Sequence, residues 1–157
     1  MSSASMTDRE VRTTRLVKAP RENIFAAWTD PEQLIRWYGP NGFSNTFHRF
    51  ELEPEGLWEF TMHGPNGMDF NNTCVFKRIE PHTYLEFDHL KELHFYKAMV
   101  TFTEEAGGTR IVWIMRFDTA EELAPIKTFI AQANEENLDK LELIGDPVRA
   151  GNFPLRP

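Results

Sequence analysis

From Ser44 to Phe117 the chain is a succession of short alternating segments cut by turn-forming residues, and this pattern limits the fold more than any other feature of the 157-residue sequence. The turns are Pro54-Glu55-Gly56, Gly64-Pro65-Asn66-Gly67, Glu80-Pro81-His82, the charged Lys91-Glu92 and Ala106-Gly107-Gly108. Between them lie six expected strands, over 44–52, 57–63, 70–79, 84–89, 94–104 and 109–117. Connections this short join antiparallel neighbours. Residues 10–19, EVRTTRLVKA, are rich in β-branched side chains and add a first strand, which makes seven.

A half-buried sheet must cover its apolar face with another layer. The segment 125–144, PIKTFIAQANEENLDKLELI, supplies it. At 100° per residue, Leu123, Ile126, Ile130, Ala133, Leu141 and Ile144 share one side, with Gln132, Glu135, Asp139 and Glu142 opposite. Asn134 and Asn137 sit in the middle of the apolar side, where an unpartnered buried amide costs about 2 kcal/mol or more. Either the sheet partners them or that face borders a cavity.

Two short helices are expected between the first and second strands. Pro20 opens one that runs through Trp28, with Ile24, Phe25 and Trp28 on one face. Asp30, Pro31 and Gln33 form a capping box for another, with Leu34, Ile35 and Trp37 as its apolar contacts. Thr119 and Glu122 make a third cap, but Pro125 lies too deep for one helix, so a single turn and a fresh start at Pro125 are expected. The fold class is α+β: a curved seven-stranded antiparallel sheet around a long C-terminal helix. It occupies one domain over 9–145, after a disordered leader (1–8) and before a surface tail (146–157).

A formal net charge of -7 opposes the counterion release that drives nucleic-acid binding, and it disfavours anionic membranes. No secretory signal or long apolar run is visible, so the chain reads as cytoplasmic. Cys74 is the sole cysteine, which rules out an intramolecular disulfide, and mid-strand it reads as an inert buried thiol. No metal or cofactor is expected, because no ligand-spaced cluster or nucleotide motif occurs.

Strand phase selects the inward residues. Trp58, Phe60 and Met62 form one set, Phe87 and His89 a second, and Ile111, Trp113, Met115 and Phe117 a third. Aromatic residues make up 13% of the chain, and so many on strands favours a bulky core or a lined pocket. The expected ligand-binding set is Trp58, Phe60, Met62, Phe87, His89, Trp113, Met115, Ile130, Asn134 and Asn137. Among the five histidines, His63 is phased outward and His82 sits in a turn, while His89 and His94 flank one hairpin and are the weak catalytic candidates. The segment 111–115 is apolar on both phases, with Phe95 and Met99 beside it, and needs a second cover. The tail or a second subunit supplies it, and the latter would make the protein a homodimer.

Several motifs in order resemble a known family. Ala19-Pro20-Arg21-Glu22, Asp30-Pro31-Glu32-Gln33-Leu34 and Trp37-Tyr38-Gly39-Pro40-Asn41-Gly42-Phe43 come first, then Gly56-Leu57-Trp58-Glu59-Phe60-Thr61-Met62, Ile79-Glu80-Pro81, Val100-Thr101-Phe102 and Gly107-Gly108-Thr109-Arg110. Over 11–144 the chain resembles the bacterial branch of the activator of heat-shock-protein ATPase homologues, in the SRPBCC or START-like superfamily. The resemblance implies a helix-grip fold with a hydrophobic cavity between sheet and last helix. Two departures stand out. Ala133-Asn134 replaces a Gly-Trp often found before the Leu-Asp-Lys-Leu run, which would enlarge the cavity and make it more polar. A usual glycine pair before the Trp58 strand is reduced to Gly56.

Three functions compete. The leading expectation is a binding protein for a small, largely hydrophobic ligand, oriented by Asn134, Asn137 and His89. A second is a cyclase- or dehydratase-like enzyme using a cavity histidine, and a third, implied by the resemblance alone, is contact with a chaperone.

Overall fold

The computed structural model describes residues 8–90 and 95–145. Strand β1 (Glu10–Val17) leads into helices α1 (Arg21–Thr29) and α2 (Pro31–Trp37). Six strands follow: β2 (Ser44–Phe50), β3 (Leu57–His63), β4 (Asp69–Glu80), β5 (Tyr84–His89), β6 (Tyr96–Glu105) and β7 (Gly108–Phe117). A single turn α3 (Ala120–Leu123) and a 3-10 turn (Ala124–Ile126) precede α4 (Lys127–Gly145). The fold is the expected α+β helix grip.

The sheet order is β1-β7-β6-β5-β4-β3-β2, with every pair antiparallel. Helices α1 and α2 carry the chain from one edge of the sheet to the other, and the meander then returns it to β1. The helix breaks at Asp30-Pro31 as expected, but the cap is not a reciprocal capping box: Asp30 Oδ1 accepts the Glu32 N–H at 3.0 Å, Gln33 Nε2 donates to Asp30 Oδ2 at 3.1 Å, and the Asp30 N–H already donates to Ala26 O at 2.8 Å. At the other proline, Thr119 Oγ1 accepts the Glu122 N–H, and the helix re-forms only after Ile126.

One end of the concave face is filled by aromatic rings. Trp28 meets Trp37 edge-on at 4.8 Å and Trp113 at 4.9 Å, and Phe25 meets Phe102 at 5.5 Å. Trp37 donates its indole N–H to Ala27 O at 2.8 Å, tying α2 to α1. Helix α4 lies over β1, held by Arg15, which reaches Glu135 and Asp139 at 2.7 Å and Glu142 at 3.2 Å. Those three carboxylates sit on the polar side of α4, so the ion cluster fixes its rotation and turns the opposite stripe toward the sheet.

On the convex face of β7, Val112 and Ile114 are half-buried, as is their neighbour Met99. The expected cover, the tail over 146–157, lies outside the described residues, as do most of the leader and His94.

Candidate functional site

Cross-strand register sets the floor of the site. Trp58 pairs with Cys74, Cys74 with His89, His89 with Tyr96, and Tyr96 with Phe117, so five inward side chains form one transverse row. The next rows toward the open end are Phe60 with Asn72 and Met62 with Phe70. Above them, Ile126, Phe129, Ile130, Ala133, Asn134 and Asn137 follow i, i+3, i+4, i+7, i+8, i+11 along the last helical segment. The two surfaces meet where Asn134 reaches Thr13 and Met115, and part beyond that point. They enclose a cavity of about 360 Å³, closed at one side by the loop residues Tyr38, Gly39, Pro40 and Phe43.

The loop is held by α4 through its backbone. Gly39 N–H donates to Asn137 Oδ1 at 2.8 Å, Lys140 Nζ donates to Gly39 O at 2.7 Å, and Asn41 N–H donates to Glu136 Oε1 at 3.0 Å. Gly39 has φ +115°, a left-handed conformation that side chains disfavour, and a Cβ there would press on Met62. The Asn41 N–H, then Gln132, hold the Glu136 carboxyl below its ordinary range. Burial lowers the Lys140 ammonium, against the pull of Glu136.

Asn134 and Asn137 are both buried, 4% exposed. Asn134 Nδ2 donates to Thr13 Oγ1 at 3.3 Å and to Met115 Sδ at 3.5 Å. Among the described residues, neither amide caps a sheet backbone group. For Asn134 Oδ1 and Asn137 Nδ2 no protein partner is found among the described residues, and both side chains line the cavity.

His89 is 7% exposed and lines the same cavity. Asn72 Nδ2 donates to Phe70 O at 3.0 Å, which orients its amide so that Oδ1 faces His89 Nε2 at 2.7 Å. An amide oxygen only accepts, so Nε2 carries the proton. The ring lies flat on Tyr96, centroids 4.6 Å apart. Tyr96 and Tyr38 both line the cavity; burial pushes both phenols well up, with the neighbouring Cys74 adding to each. They therefore act as hydrogen-bond donors and remain protonated at neutral pH.

Of the ten residues expected to contact a ligand, eight line this cavity: Phe60, Met62, His89, Trp113, Met115, Ile130, Asn134 and Asn137. Trp58 and Phe87 do not. They belong to the filled part of the sheet face, Trp58 stacked on Phe60 at 4.4 Å and meeting Phe87 edge-on at 5.5 Å, with the Tyr38 ring lying across Trp58 at 5.2 Å. Strand phase alone cannot tell which inward residue a loop will cover. Reasoning from sequence missed Tyr38, Asn72 and Tyr96. The signal for two was present: Tyr96 is in phase with Ala98 and Val100, and Asn72 with Cys74 and Phe76. His63, by contrast, faces out, bonded to Thr46 Oγ1 and Asp69 Oδ1 at 2.7 and 2.8 Å.

Among the described residues no group of three or more His, Cys, Asp or Glu could hold a metal ion, and no helix is long and apolar enough to cross a membrane. Cys74 is fully buried, and burial, with Asp88 adding, raises its thiol well above the ordinary value. It has an imidazole across the ladder but no thiolate to offer.

Comparison with known proteins agrees with the architecture. The family model described as Activator of Hsp90 ATPase homolog 1-like protein matches residues 18–145. No curated protein matches. A solved protein from Nitrosomonas europaea is 19% identical with a TM-score of 0.82, over 91% of this chain and 97% of that one. One from Arthrobacter aurescens is 24% identical with a TM-score of 0.81, over 89% and 87%. One from Rhodobacter sphaeroides is 23% identical with a TM-score of 0.79, over 87% and 91%. At these identities the likeness is one of fold.

Proposed function

For a chain that belongs to the Activator of Hsp90 ATPase homolog 1-like family, whose fold is commonly a ligand-binding one, we propose that the cavity between sheet and α4 binds a small, largely apolar molecule. The observation that carries this is the lining: aromatic rings from β3, β4, β6, β7 and the 38–43 loop, with the amides of Asn134 and Asn137 set among them. Specific small-molecule sites combine an apolar wall with a few fixed polar groups in this way. The test is native mass spectrometry of the protein as purified, together with thermal-shift screening of apolar compounds. A co-purifying mass or a concentration-dependent stabilisation supports the reading. No stabilisation by any compound, with side chains filling the space in a crystal structure, ends it.

A second reading, proton transfer by His89, is favoured by one observation, that its ring lines the cavity with Asn72 fixing its tautomer. The variant His89→Gln would then lose turnover of whatever molecule is identified by far more than it loses affinity. Unchanged turnover refutes it. The other weak catalytic candidate, His94, lies outside the described residues.

A further inference from the structure

Resting on the ligand-binding reading, we propose that the cavity selects for electrical neutrality: its ligand is an uncharged molecule of about a dozen non-hydrogen atoms, with an acceptor oxygen for the Tyr38–Tyr96 pair and a mixed donor and acceptor group, such as an amide or hydroxyl, for Asn134 and Asn137. Carboxylates and ammonium groups of the same shape are rejected.

Size follows from the volume, since 360 Å³ at roughly 30 Å³ per non-hydrogen atom, the share of a water molecule in the liquid, holds about twelve. Neutrality follows from the lining. None of the described residues around the cavity is Asp, Glu, Lys or Arg. Three nearby cations are already committed: Lys140 Nζ to the Gly39 carbonyl, Arg9 to the Phe117 carbonyl, and Arg15 to three carboxylates on the outer side of α4. With the His89 imidazole neutral, an ion entering the cavity would exchange its water shell for aromatic faces with no counter-charge, which is far costlier than desolvating a neutral polar group.

The polar pattern follows from counting donors. Tyr38 and Tyr96 both line the cavity, and a protonated phenol offers an O–H to an acceptor. On the helix side, Asn134 Oδ1 offers an acceptor and Asn137 Nδ2 a donor, each amide having used its other atom on protein. A ligand that left these groups unpaired would lose water without replacing it.

The test is a matched pair: 2-naphthamide and 2-naphthoate have the same shape and atom count, and at pH 8 one is neutral and the other an anion, while an ordinary imidazole is uncharged. Titrations followed by protein NMR should show naphthamide binding at least about thirtyfold more tightly than naphthoate. Tyr96→Phe and Asn134→Leu should each weaken naphthamide by roughly three- to tenfold, while circular dichroism melts show each variant folded. Equal affinity for the two probes overturns the neutrality claim and leaves apolar binding standing. Unchanged naphthamide affinity in both variants overturns the assigned polar contacts. If neither probe shifts cavity resonances and no apolar compound stabilises the protein, the ligand-binding reading itself has failed.

Discussion

Replacing Asn134 by tryptophan tests whether the space over the sheet is real and whether ligands use it. The exchange restores the bulky residue that the family resemblance places at this point of the last helix. It adds about six non-hydrogen atoms, which at ~30 Å³ each claim roughly half of the 360 Å³ cavity. The cost side is small: contacts of 3.3 Å to Thr13 and 3.5 Å to Met115 are long and worth about 1 kcal/mol together, and the buried Thr13 hydroxyl, 3% exposed, loses a partner for about another 1 kcal/mol. Burying an indole against Trp113, Met115 and Phe60 returns up to about 4–5 kcal/mol at 25 cal/mol per Å². Packing imperfections and lost rotamer freedom reduce that, so a net gain of about 1–2 kcal/mol is expected, a rise in Tm of about 3–6 °C. Calorimetry measures the rise, and NMR titration with an apolar probe measures affinity, which should fall at least about tenfold. A fall in Tm of several degrees would mean that the space is already full. An unchanged affinity would place the ligand elsewhere.

Three further outcomes are expected. Gly56→Ala directs a Cβ into the backbone carbonyls of Glu51 and Glu53, so urea denaturation should show a loss of about 2 kcal/mol or more, and a loss within experimental scatter would refute the clash. Burial raises the Glu86 carboxyl, but hydrogen bonds from Lys97 and Tyr84 outweigh it and the net pKa is lowered; this stabilisation is present above the unfolded carboxylate pKa and is lost as pH falls through the folded one. Glu86→Gln should therefore shrink the stability difference between pH 7 and pH 3, and an identical acid limb would count against the assignment. Cys74, buried and with its thiol raised, should resist iodoacetamide at pH 8 until guanidinium is added, whereas native labelling within minutes, read by mass spectrometry, would show that the strand opens.

The architecture was legible because its determinants are local. Asp30-Pro31 and Thr119 to Pro125 specify helix breaks through their own caps and missing N–H groups, and four turn clusters cut the strands where the sheet does, the Lys91-Glu92 turn lying outside the described residues. Strand phase correctly turned Phe60, Met62, His89, Trp113 and Met115 inward. The site was legible only in part, since which inward residue borders empty space depends on what lies above it. Trp58 and Phe60 are equivalent in phase, yet the Tyr38 ring covers the first and leaves part of the second open. The position of Tyr38 is set by contacts about a hundred residues apart, Gly39 with Asn137 and Lys140, that no sequence period encodes.

The size of the cavity bears on why those contacts exist. If it were a sealed apolar void, its cost at about 24 cal/mol per Å³ would approach 9 kcal/mol, comparable to the whole net stability of a domain. Three side chains of α4 are nevertheless spent holding the 39–41 loop above the sheet, and the position best suited to fill the gap carries an asparagine. Water can satisfy Asn134, Asn137 and the phenol pair. It cannot do the same for Phe43, Phe70, Phe117 and Phe129, the last of them 60% exposed at the rim. The polar groups of the cavity can thus keep water at little cost, while its aromatic wall gains nothing from it. Displacing water from that wall with an apolar body, while returning the polar hydrogen bonds, is where the free energy of binding would come from.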